Sequence, residues 1–215
     1  LLLMSGDLSG TSSAESYIML NQLLQDYGKQ ALWLPGNHDN VELMKKHLVN
    51  YPPYPVWEMG DWGILTLDSS QSETPIGHIR DEELRLVEDR LDQLKSKSIL
   101  VSMHHCPIAL GCQWLDKQKV NNPDGLYELL ASHSNVKLVV TGHVHQQYDG
   151  LWNNLPLYTT PSSSIQFKQH SVDFAISDQP PGYRWFDLGA DGTIKTGVEF
   201  ATHFGQHPDT NNAGY

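Results

Sequence analysis

The most informative segment of the sequence reads Leu34-Pro35-Gly36-Asn37-His38-Asp39. The apolar residues 31–34 that lead into it are typical of a short buried strand. The Pro-Gly pair then turns the chain out of the sheet, and an amide, an imidazole and a carboxylate follow without a spacer. Each of these three groups can bind a metal ion or move a proton. A strand end that delivers such groups into a loop is a usual place for chemistry in α/β proteins, so we expect a functional site here.

Three other segments share this pattern, in which an apolar strand runs directly into a polar group. Residues 1–5 lead into Gly6-Asp7, residues 99–103 lead into His104-His105, and residues 138–141 lead into Gly142-His143-Val144-His145. Four such segments in one chain are hard to obtain by accident. Because all four polar groups follow strand ends, we expect them to belong to one site.

Composition and charge exclude several classes of protein. The chain has 215 residues, of which 39% are hydrophobic and 18% are charged, as in an ordinary globular domain. Its formal net charge of −11 would repel nucleic acid. No apolar segment approaches the roughly 20 residues that cross a membrane. Cys106 and Cys112 are too few for a disulfide scaffold, so we predict reduced thiols and a cytoplasmic protein.

The order of predicted elements indicates an α/β fold. Ser12-Ser13-Ala14-Glu15 fits a capping box with Ser12 as the N-cap, and Gly28 is placed to end the helix that follows. Periodic apolar residues predict further helices, and short apolar segments predict strands that alternate with them. The further helices are predicted at residues 41–48, 80–94 and 122–132.

The last third of the chain predicts a different pattern of short strands and turns. Asp191-Gly192 is a strong hairpin signal. Residues 51–55 predict a rigid irregular connector, and the polar tail from residue 202 predicts an irregular end. We find no linker signal, so we predict one domain over residues 1–215, with two sheets face to face and helices outside. The late strands are predicted at residues 156–160, 164–167, 183–188 and 193–200.

The groups at the strand ends form a candidate ligand set for metal ions. One carboxylate, one amide oxygen and three imidazoles suit Mn²⁺, Fe²⁺ or Zn²⁺ better than Ca²⁺. A carboxylate can bridge two ions, and two histidines at positions i and i+2 of a turn can point to different ions. A pair of ions about 3.5–4 Å apart would clamp a phosphoryl group and supply hydroxide near neutral pH. The candidate ligands are Asp7, Asn37, His104, His143 and His145.

These segments resemble the signature blocks of the calcineurin-like metallophosphoesterases. The blocks are Gly6-Asp7, Gly36-Asn37-His38-Asp39, the strand-end His104 and Gly142-His143-Val144-His145. Longer segments are similar to the class III 3′,5′-cyclic-AMP phosphodiesterases of bacteria, and this narrower likeness runs over nearly the whole chain. The longer segments are residues 34–39, 111–116, 142–146, 160–162, 166–168, 181–185 and 191–192.

The resemblance implies a four-layer α-β-β-α sandwich of two mixed sheets and a centre of two divalent metal ions. The ions implied are Fe²⁺ and/or Mn²⁺, with Zn²⁺ as a further possibility. Asp7 would bridge the two ions. Asn37, His104 and His143 would complete the second ion site, and His145 would belong to the first.

The resemblance also implies the reaction, which is hydrolysis of 3′,5′-cyclic AMP to 5′-AMP, with the effect of lowering cellular cyclic AMP. His38 would contact the phosphate and stabilise or protonate the departing 3′ oxygen. Asp39 would orient that imidazole. Asp7, Asn37, His38 and His145 would form the substrate-binding set around this small cyclic nucleotide.

Several alternatives stay open at this point. His105 could replace its neighbour His104 as a ligand or support it. The substrate could be another phosphodiester or a monoester, or the chain could be a catalytically inert or purely structural domain. The family's Asp-x-His block does not occur before Gly6-Asp7, and the chain opens within a strand. We therefore expect roughly 50–60 residues of a parent protein to precede it, and we expect activity for that parent rather than for this chain.

Overall fold

The computed structural model describes residues 1–51, 53 and 56–202. The chain begins with a β-loop-α-β unit made of β1 (Leu2–Met4), α1 (Ala14–Tyr27) and β2 (Ala31–Trp33). The two strands pair in parallel. Helix α2 (Val41–His47) follows the loop after β2. This loop and the loop after β1 therefore leave the small sheet at the same edge.

Helix α1 begins one residue later than the predicted capping box. The Ser13 side chain accepts a hydrogen bond from the Ser16 amide and is the N-cap. Ser12 cannot take that role because its hydroxyl donates to the His38 carbonyl and its backbone is left-handed, at φ 52°. Gly28 ends the helix as predicted, in a left-handed conformation at φ 64°.

A six-stranded mixed sheet forms the centre of the fold. Its parallel strands bring the two histidine segments together, because Met103 pairs with Thr141 immediately before them. The outer strands run antiparallel to their neighbours. The strands are, in spatial order, β3 (Val56–Met59), β4 (Trp62–Thr66), β5 (Ser98–Met103), β6 (Val136–Thr141), β8 (Leu155–Thr159) and β7 (Tyr148–Trp152).

Three more helices and a hairpin complete the described elements. The helices are α3 (Asp81–Gln93), α4 (Gln113–Asp116) and α5 (Asp124–Ala131). Strands β9 (Gly182–Leu188) and β10 (Ile194–Phe200) pair in antiparallel fashion around the predicted Asp-Gly turn. The hairpin prediction is therefore confirmed.

The strand predicted at residues 164–167 is wrong, because Phe167 makes only an isolated bridge with Ile176. The side chain of Gln166 accounts for this difference. Its amide accepts a hydrogen bond from the Ser162 N–H at 3.0 Å and donates to the Ser162 carbonyl at 2.7 Å. A side chain that satisfies nearby backbone groups competes with the ladder of a sheet.

The hydrophobic core shows the predicted α-β-β-α layers. One face of the six-stranded sheet, with Val101 and Val139, packs against α3 and α5. The other face packs against the β1–β2 pair and the β9–β10 hairpin through residues such as Leu32 and Phe186. Helices α1 and α2 cover the outer side of the β1–β2 pair. The α/β class and the layer order are confirmed.

The strands of the last third of the chain are divided between the two β layers. Strands β7 and β8 join β4, β5 and β6 in one sheet, because β8 pairs in parallel with β6. Within the described residues the other β layer consists of one parallel and one antiparallel pair of strands.

Some predictions concern residues that the structure does not describe. Residues 52, 54 and 55 of the predicted connector and residues 203–215 of the tail lie outside the described residues. Cys106 and Cys112 are buried free thiols, as predicted. None of the helices in the described part of the chain combines the length and the apolar character that a membrane crossing needs.

Candidate metal centre

The polar groups that follow β1, β2, β5 and β6 meet at one edge of the fold. Asp7 Oδ2 lies 3.1 Å from His104 Nε2, and His104 Nε2 lies 3.2 Å from His143 Nδ1. The His38 amide donates a hydrogen bond to Asp7 Oδ1 at 2.9 Å. Groups from all four strand ends therefore come together, and the two sheets each supply part of the cluster.

The imidazole of His104 is buried and oriented by the backbone of the other sheet. Its Nδ1 donates a hydrogen bond to the Ser5 carbonyl at 2.7 Å, since a carbonyl oxygen can only accept. In the neutral ring this leaves the lone pair of Nε2 directed toward Asp7 and His143. Burial disfavours the charged ring, but the Asp7 carboxylate raises the pKa of His104. A positive charge is thus favoured at Nε2, and either a proton or a metal ion supplies it.

The carboxylate of Asp7 is held as an anion at the centre of the cluster. Burial alone would raise the pKa of Asp7, but His104 and the hydrogen bond from the His38 amide together bring it below its ordinary value. Oδ1 is occupied by that amide, so Oδ2 is the oxygen that faces His104. A metal ligand must be deprotonated, and Asp7 is in the required form.

Buried polar atoms without a hydrogen bond identify the same place. Among the described residues they include Asp7 Oδ2, Asn37 Oδ1, His105 Nε2 and His143 Nε2. Such atoms are rare in folded proteins because each one costs about 1–3 kcal/mol. Several of them in one cluster indicate a ligand that completes the site.

The spacing of the ligand atoms fits a divalent metal ion. Metal–ligand bonds of about 2.1 Å place neighbouring ligand atoms about 3.0–3.4 Å apart. The two distances around His104 Nε2 are 3.1 and 3.2 Å. One ring nitrogen from each of His104, His105 and His143 also lies within 4.8 Å of the others. The donor set, the orphaned atoms and the spacing all agree with a metal centre.

His143 and His145 are both neutral imidazoles in this environment. Burial lowers the pKa of His143, and the neighbouring His104 and His105 lower it further. Burial also lowers the pKa of His145 to about 4, although Asp7 raises it in part. Neutral imidazole is the form that binds metal. The backbones of Asp7, His143 and His145 are all left-handed, at φ 55°, 60° and 48°.

His105 differs from His104 in its contacts. Its Nδ1 lies 2.9 Å from Ser69 Oγ, and its backbone N–H donates to the same hydroxyl at 3.2 Å. Burial lowers the pKa of His105 to about 3. We keep His104 as the proposed ligand because it contacts both Asp7 and His143, and we assign His105 a supporting role.

Asp39 joins the loop after β1 to the loop after β2. Its carboxylate accepts hydrogen bonds from the amides of Leu8 at 3.0 Å, Ser9 at 3.2 Å and Gly36 at 3.0 Å, and from the Tyr17 hydroxyl at 2.9 Å. Burial raises the pKa of Asp39, and these donors counteract part of that effect. These contacts make Asp39 a clamp between two site loops, and its role in orienting His38 stays a prediction.

The glycines of two signature blocks are explained by close approach. A Cβ atom on Gly36 would overlap the Asp7 carboxylate and lie 2.5 Å from the Asp7 amide. A Cβ atom on Gly6, which is also left-handed at φ 94°, would lie 2.8 Å from the Gly36 amide. The two loops can therefore touch only where both positions lack a side chain.

Several contributors to the site were not predicted from the sequence. Tyr17 is a buried residue of α1, and its hydroxyl reaches Asp39 and also accepts from the Asn40 amide at 2.9 Å. Phe167 stacks on His145 with ring centroids 4.2 Å apart. Ser69 contacts His105. The only available signal for Tyr17 was a tyrosine at a core position, because a buried tyrosine hydroxyl usually needs a partner.

Comparison with known proteins agrees with this geometry. Residues 1–147 match the family model described as calcineurin-like phosphoesterase. The chain is 32% identical over 216 residues to the 3′,5′-cyclic adenosine monophosphate phosphodiesterase CpdA of Pseudomonas aeruginosa, covering 100% of this chain and 79% of that protein. It is 34% identical over 218 residues to the protein of the same name from Escherichia coli (strain K12), with the same two coverages.

A solved structure from Thermus thermophilus is similar in fold. The TM-score is 0.56 with 16% sequence identity, and the match covers 91% of this chain and 84% of that chain. At this identity the likeness concerns the arrangement of helices and strands alone.

Proposed function

The chain belongs to the calcineurin-like phosphoesterase family, and from this membership we propose that it carries the catalytic site of a hydrolase that converts 3′,5′-cyclic AMP to 5′-AMP. The proteins named CpdA that it resembles at 32% and 34% identity are named as phosphodiesterases of this substrate. The observation that supports the proposal most directly is the convergence of Asp7, His104 and His143 at 3.1 and 3.2 Å.

We assign the metal ligands from the contacts of Asp7, His104 and His143, and we add Asn37 and His145 from the resemblance to the family. Asp7 Oδ2, Asn37 Oδ1, His104 Nε2 and His143 would hold one divalent ion, and Asp7 with His145 would contribute to a second. Enzymes of this family use divalent metal ions, and here we propose Fe²⁺ or Mn²⁺, with Zn²⁺ as the alternative. When bound, such ions supply positive charge for the phosphoryl oxygens and an acidified water near neutral pH.

The protein groups around the centre would bind the phosphate and move the proton. His38 follows Asn37 directly and is anchored to Asp7 through its backbone amide. Its side chain is half-buried, so a substrate can reach it. We assign to His38 the proton that the departing 3′ oxygen requires. Asp39 would keep the loops of Asp7 and His38 in contact while this transfer takes place.

A direct assay tests the proposed reaction. The purified protein at its full natural length, loaded with Mn²⁺ or Fe²⁺ and with its metal content measured, is incubated with cyclic AMP, and release of AMP is followed. We expect hydrolysis that His38→Ala reduces at least about 100-fold without loss of bound metal, because general acid catalysis contributes at least that factor. A chain that holds about two ions and releases no AMP would overturn the proposal.

Two controls separate the alternatives. A panel of other phosphodiesters and monoesters distinguishes a change of substrate from a loss of chemistry. The metal content distinguishes an inert domain from an enzyme, because a domain that holds at most one ion lacks the pair of ions on which the proposed reaction depends.

A further inference from the structure

The segment of residues 165–167 contacts the imidazole of His145 from both of its ends. The Phe167 ring stacks on the imidazole, with ring centroids 4.2 Å apart. The backbone of Ile165 forms a hydrogen bond with the same imidazole, and this bond raises the pKa of His145 against the larger, opposite effect of burial. A hydrogen bond raises the pKa of a histidine when the ring donates, so the Ile165 carbonyl is the acceptor. The orientation of His145 therefore depends on where this segment lies.

The hydrogen bond to Ile165 also determines which ring nitrogen of His145 can bind a metal ion. A neutral imidazole has one N–H group and one lone pair. Because the N–H group is directed to the Ile165 carbonyl, the lone pair is on the other nitrogen. Histidines that bind metal usually donate their second ring nitrogen to such an acceptor, which fixes the tautomer and the ring orientation. Ile165 thus does for His145 what the Ser5 carbonyl does for His104.

The side chain of Gln166 lies between these two contacts in sequence and is itself buried, at 1% exposure. Its Oε1 accepts a hydrogen bond from the Ser162 N–H at 3.0 Å. Its Nε2 donates to the carbonyls of Ser162 at 2.7 Å and Pro180 at 3.1 Å. The reverse orientation of the amide would place its oxygen against two carbonyl oxygens, so the partners determine the orientation. Both N–H groups of the amide are therefore satisfied.

These hydrogen bonds of Gln166 join two segments that flank the site. Ser162 belongs to the loop after β8, and Pro180 shortly precedes β9. The segment of residues 165–167 has no regular sheet to hold it, because Phe167 makes only an isolated bridge. The Gln166 side chain therefore fixes the backbone at a place where a ladder of strand hydrogen bonds is missing.

We propose that Gln166 is a positioning residue for the ion site to which His145 belongs. The inference rests on the proposed function, since it takes His145 as a metal ligand. Gln166 acts through its two neighbours, because its hydrogen bonds hold the Ile165 carbonyl and the Phe167 ring where both contact the imidazole. Loss of these bonds lets the segment move, and a ligand that is oriented less firmly binds its ion more weakly.

The metal affinity of a Gln166 variant tests this role. Gln166→Met keeps the length of the side chain and removes all of its hydrogen bonds. The variant is made in the protein at its full natural length, and titration with Mn²⁺ followed by electron paramagnetic resonance measures the affinities of both ion sites. His145→Ala identifies the affinity that belongs to the His145 site. We expect Gln166→Met to weaken that affinity about tenfold or more and to leave the other unchanged.

A second variant and a matched control accompany this measurement. Gln166→Glu keeps the shape and the bond from the Ser162 N–H but loses both donated bonds, so it should give the same change, including where the methionine variant does not fold. Asn135→Leu is the control. The Asn135 amide also donates to two backbone carbonyls, those of Leu94 at 3.1 Å and Lys97 at 2.9 Å, but it precedes β6 whereas the metal centre follows that strand. The control should keep both affinities.

The tautomer of His145 gives a readout that a purely structural role would not change. In metal-free protein labelled with ¹⁵N-histidine, the chemical shifts of the two ring nitrogens show which one carries the proton, and His145→Gln assigns the signal. We expect one tautomer in the unchanged protein, because the ring donates to Ile165. Gln166→Met should give a mixture of both tautomers, and Asn135→Leu should not.

Three results would each overturn the proposal. They are an equal loss of affinity at both ion sites, unchanged affinity and tautomer in both Gln166 variants, and a His145→Ala variant that keeps both affinities. These results are distinct from failure of the proposed reaction, because neither readout depends on hydrolysis of cyclic AMP. A protein that releases no AMP, but in which Gln166→Met weakens the His145 site alone, would contradict the assigned reaction and support the positioning role.

Discussion

The ring of Phe167 lies parallel to the imidazole of His145, with centroids 4.2 Å apart and planes inclined by 1°. Phe167 is 2% exposed and is itself packed edge-on by Trp114, at 4.9 Å and 80°, and by Phe174, at 5.8 Å and 67°. The plane of a proposed metal ligand is therefore set by an aromatic cluster of residues outside the signature blocks.

Replacing Phe167 should weaken the ion site to which His145 belongs. Phe167→Leu removes the stacked face, and a lost orienting contact typically costs about tenfold or more in metal affinity. Titration with Mn²⁺ followed by electron paramagnetic resonance measures the two affinities. Phe174→Leu is the matched control, since it alters the same cluster without the parallel contact. Equal loss of affinity in both variants would show that general packing is responsible.

Replacing Asp39 should destabilise the protein more than replacing its partner Tyr17. Asp39→Asn leaves one acceptor oxygen for several donors and turns an amide donor toward backbone N–H groups, which should cost about 2–3 kcal/mol. Tyr17→Phe removes one hydrogen bond to Asp39 and should cost about 1 kcal/mol. Urea unfolding of both variants measures the difference. Equal urea midpoints for Asp39→Asn and Tyr17→Phe would contradict the proposal that Asp39 clamps the two loops.

A methyl group at Gly36 should displace the Asp7 carboxylate. The added Cβ would overlap that carboxylate, so Gly36→Ala should lose bound metal even if it folds. Gly10→Ala is the control, because a Cβ there meets nothing within 4 Å. Metal content after gel filtration checks the expectation. Normal metal content in Gly36→Ala would show that the loops can separate without harm to the site.

Metal binding should stabilise the fold through His143. At a free Mn²⁺ concentration of 100 times its dissociation constant, the free energy of unfolding should rise by about 2.7 kcal/mol. His143→Ala should lose most of this increase, and His133→Ala, whose ring contacts Ser132 and Leu129, should keep it. Thermal unfolding with Mn²⁺ or with a chelator measures both effects. Similar stabilisation of the two variants would place the ion elsewhere.

Acid should destabilise the metal-free protein. Burial lowers the pKa of His105 to about 3 and that of His145 to about 4, whereas an unfolded histidine titrates near 6.5. Between these values the unfolded chain binds more protons, so the free energy of unfolding falls as the pH drops below about 6.5. Each of the two imidazoles should contribute a loss of about 2 kcal/mol at pH 5.

His104 should act in the opposite direction. Its pKa is raised in the folded protein, so its contribution to stability is complete below about pH 6.5 and is lost as the pH rises through the folded pKa. Urea midpoints at pH 5 and pH 7 in the presence of a chelator measure the sum. His105→Gln should show a smaller decrease than the unchanged chain, and an equal decrease in both would contradict the assignment.

The convergence of the site groups could be predicted from the sequence, because it follows from strand topology. Asp7, His104 and His143 each come directly after an apolar strand, and neighbouring strands bring such positions to one edge. The layer order followed from the same alternation of strands and helices. The roles of the individual ligands and of His38 remain predictions that metal binding and kinetics must test.

The partners of the supporting side chains could not be predicted in this way. Ser12 bonds to the His38 carbonyl and Asp39 bonds to the Leu8 amide, so each contact joins loops that only the tertiary fold brings together. A cleft beside Asn37 is likewise lined by residues 36–42, which follow β2, and by residues 68–73, which follow β4. The secondary-structure propensity of a segment carries no information on contacts between residues that are far apart in the sequence.

Asp7, His143 and His145 have left-handed backbones, so substitutions that relieve these torsions would also remove side chains proposed for catalysis. Glycine or asparagine would relieve the torsions at these turns, since both adopt that conformation more readily. A screen for thermostability in the absence of metal would therefore favour replacements at the positions proposed to hold the ions. With metal bound, the stabilisation that these ligands provide would oppose that gain.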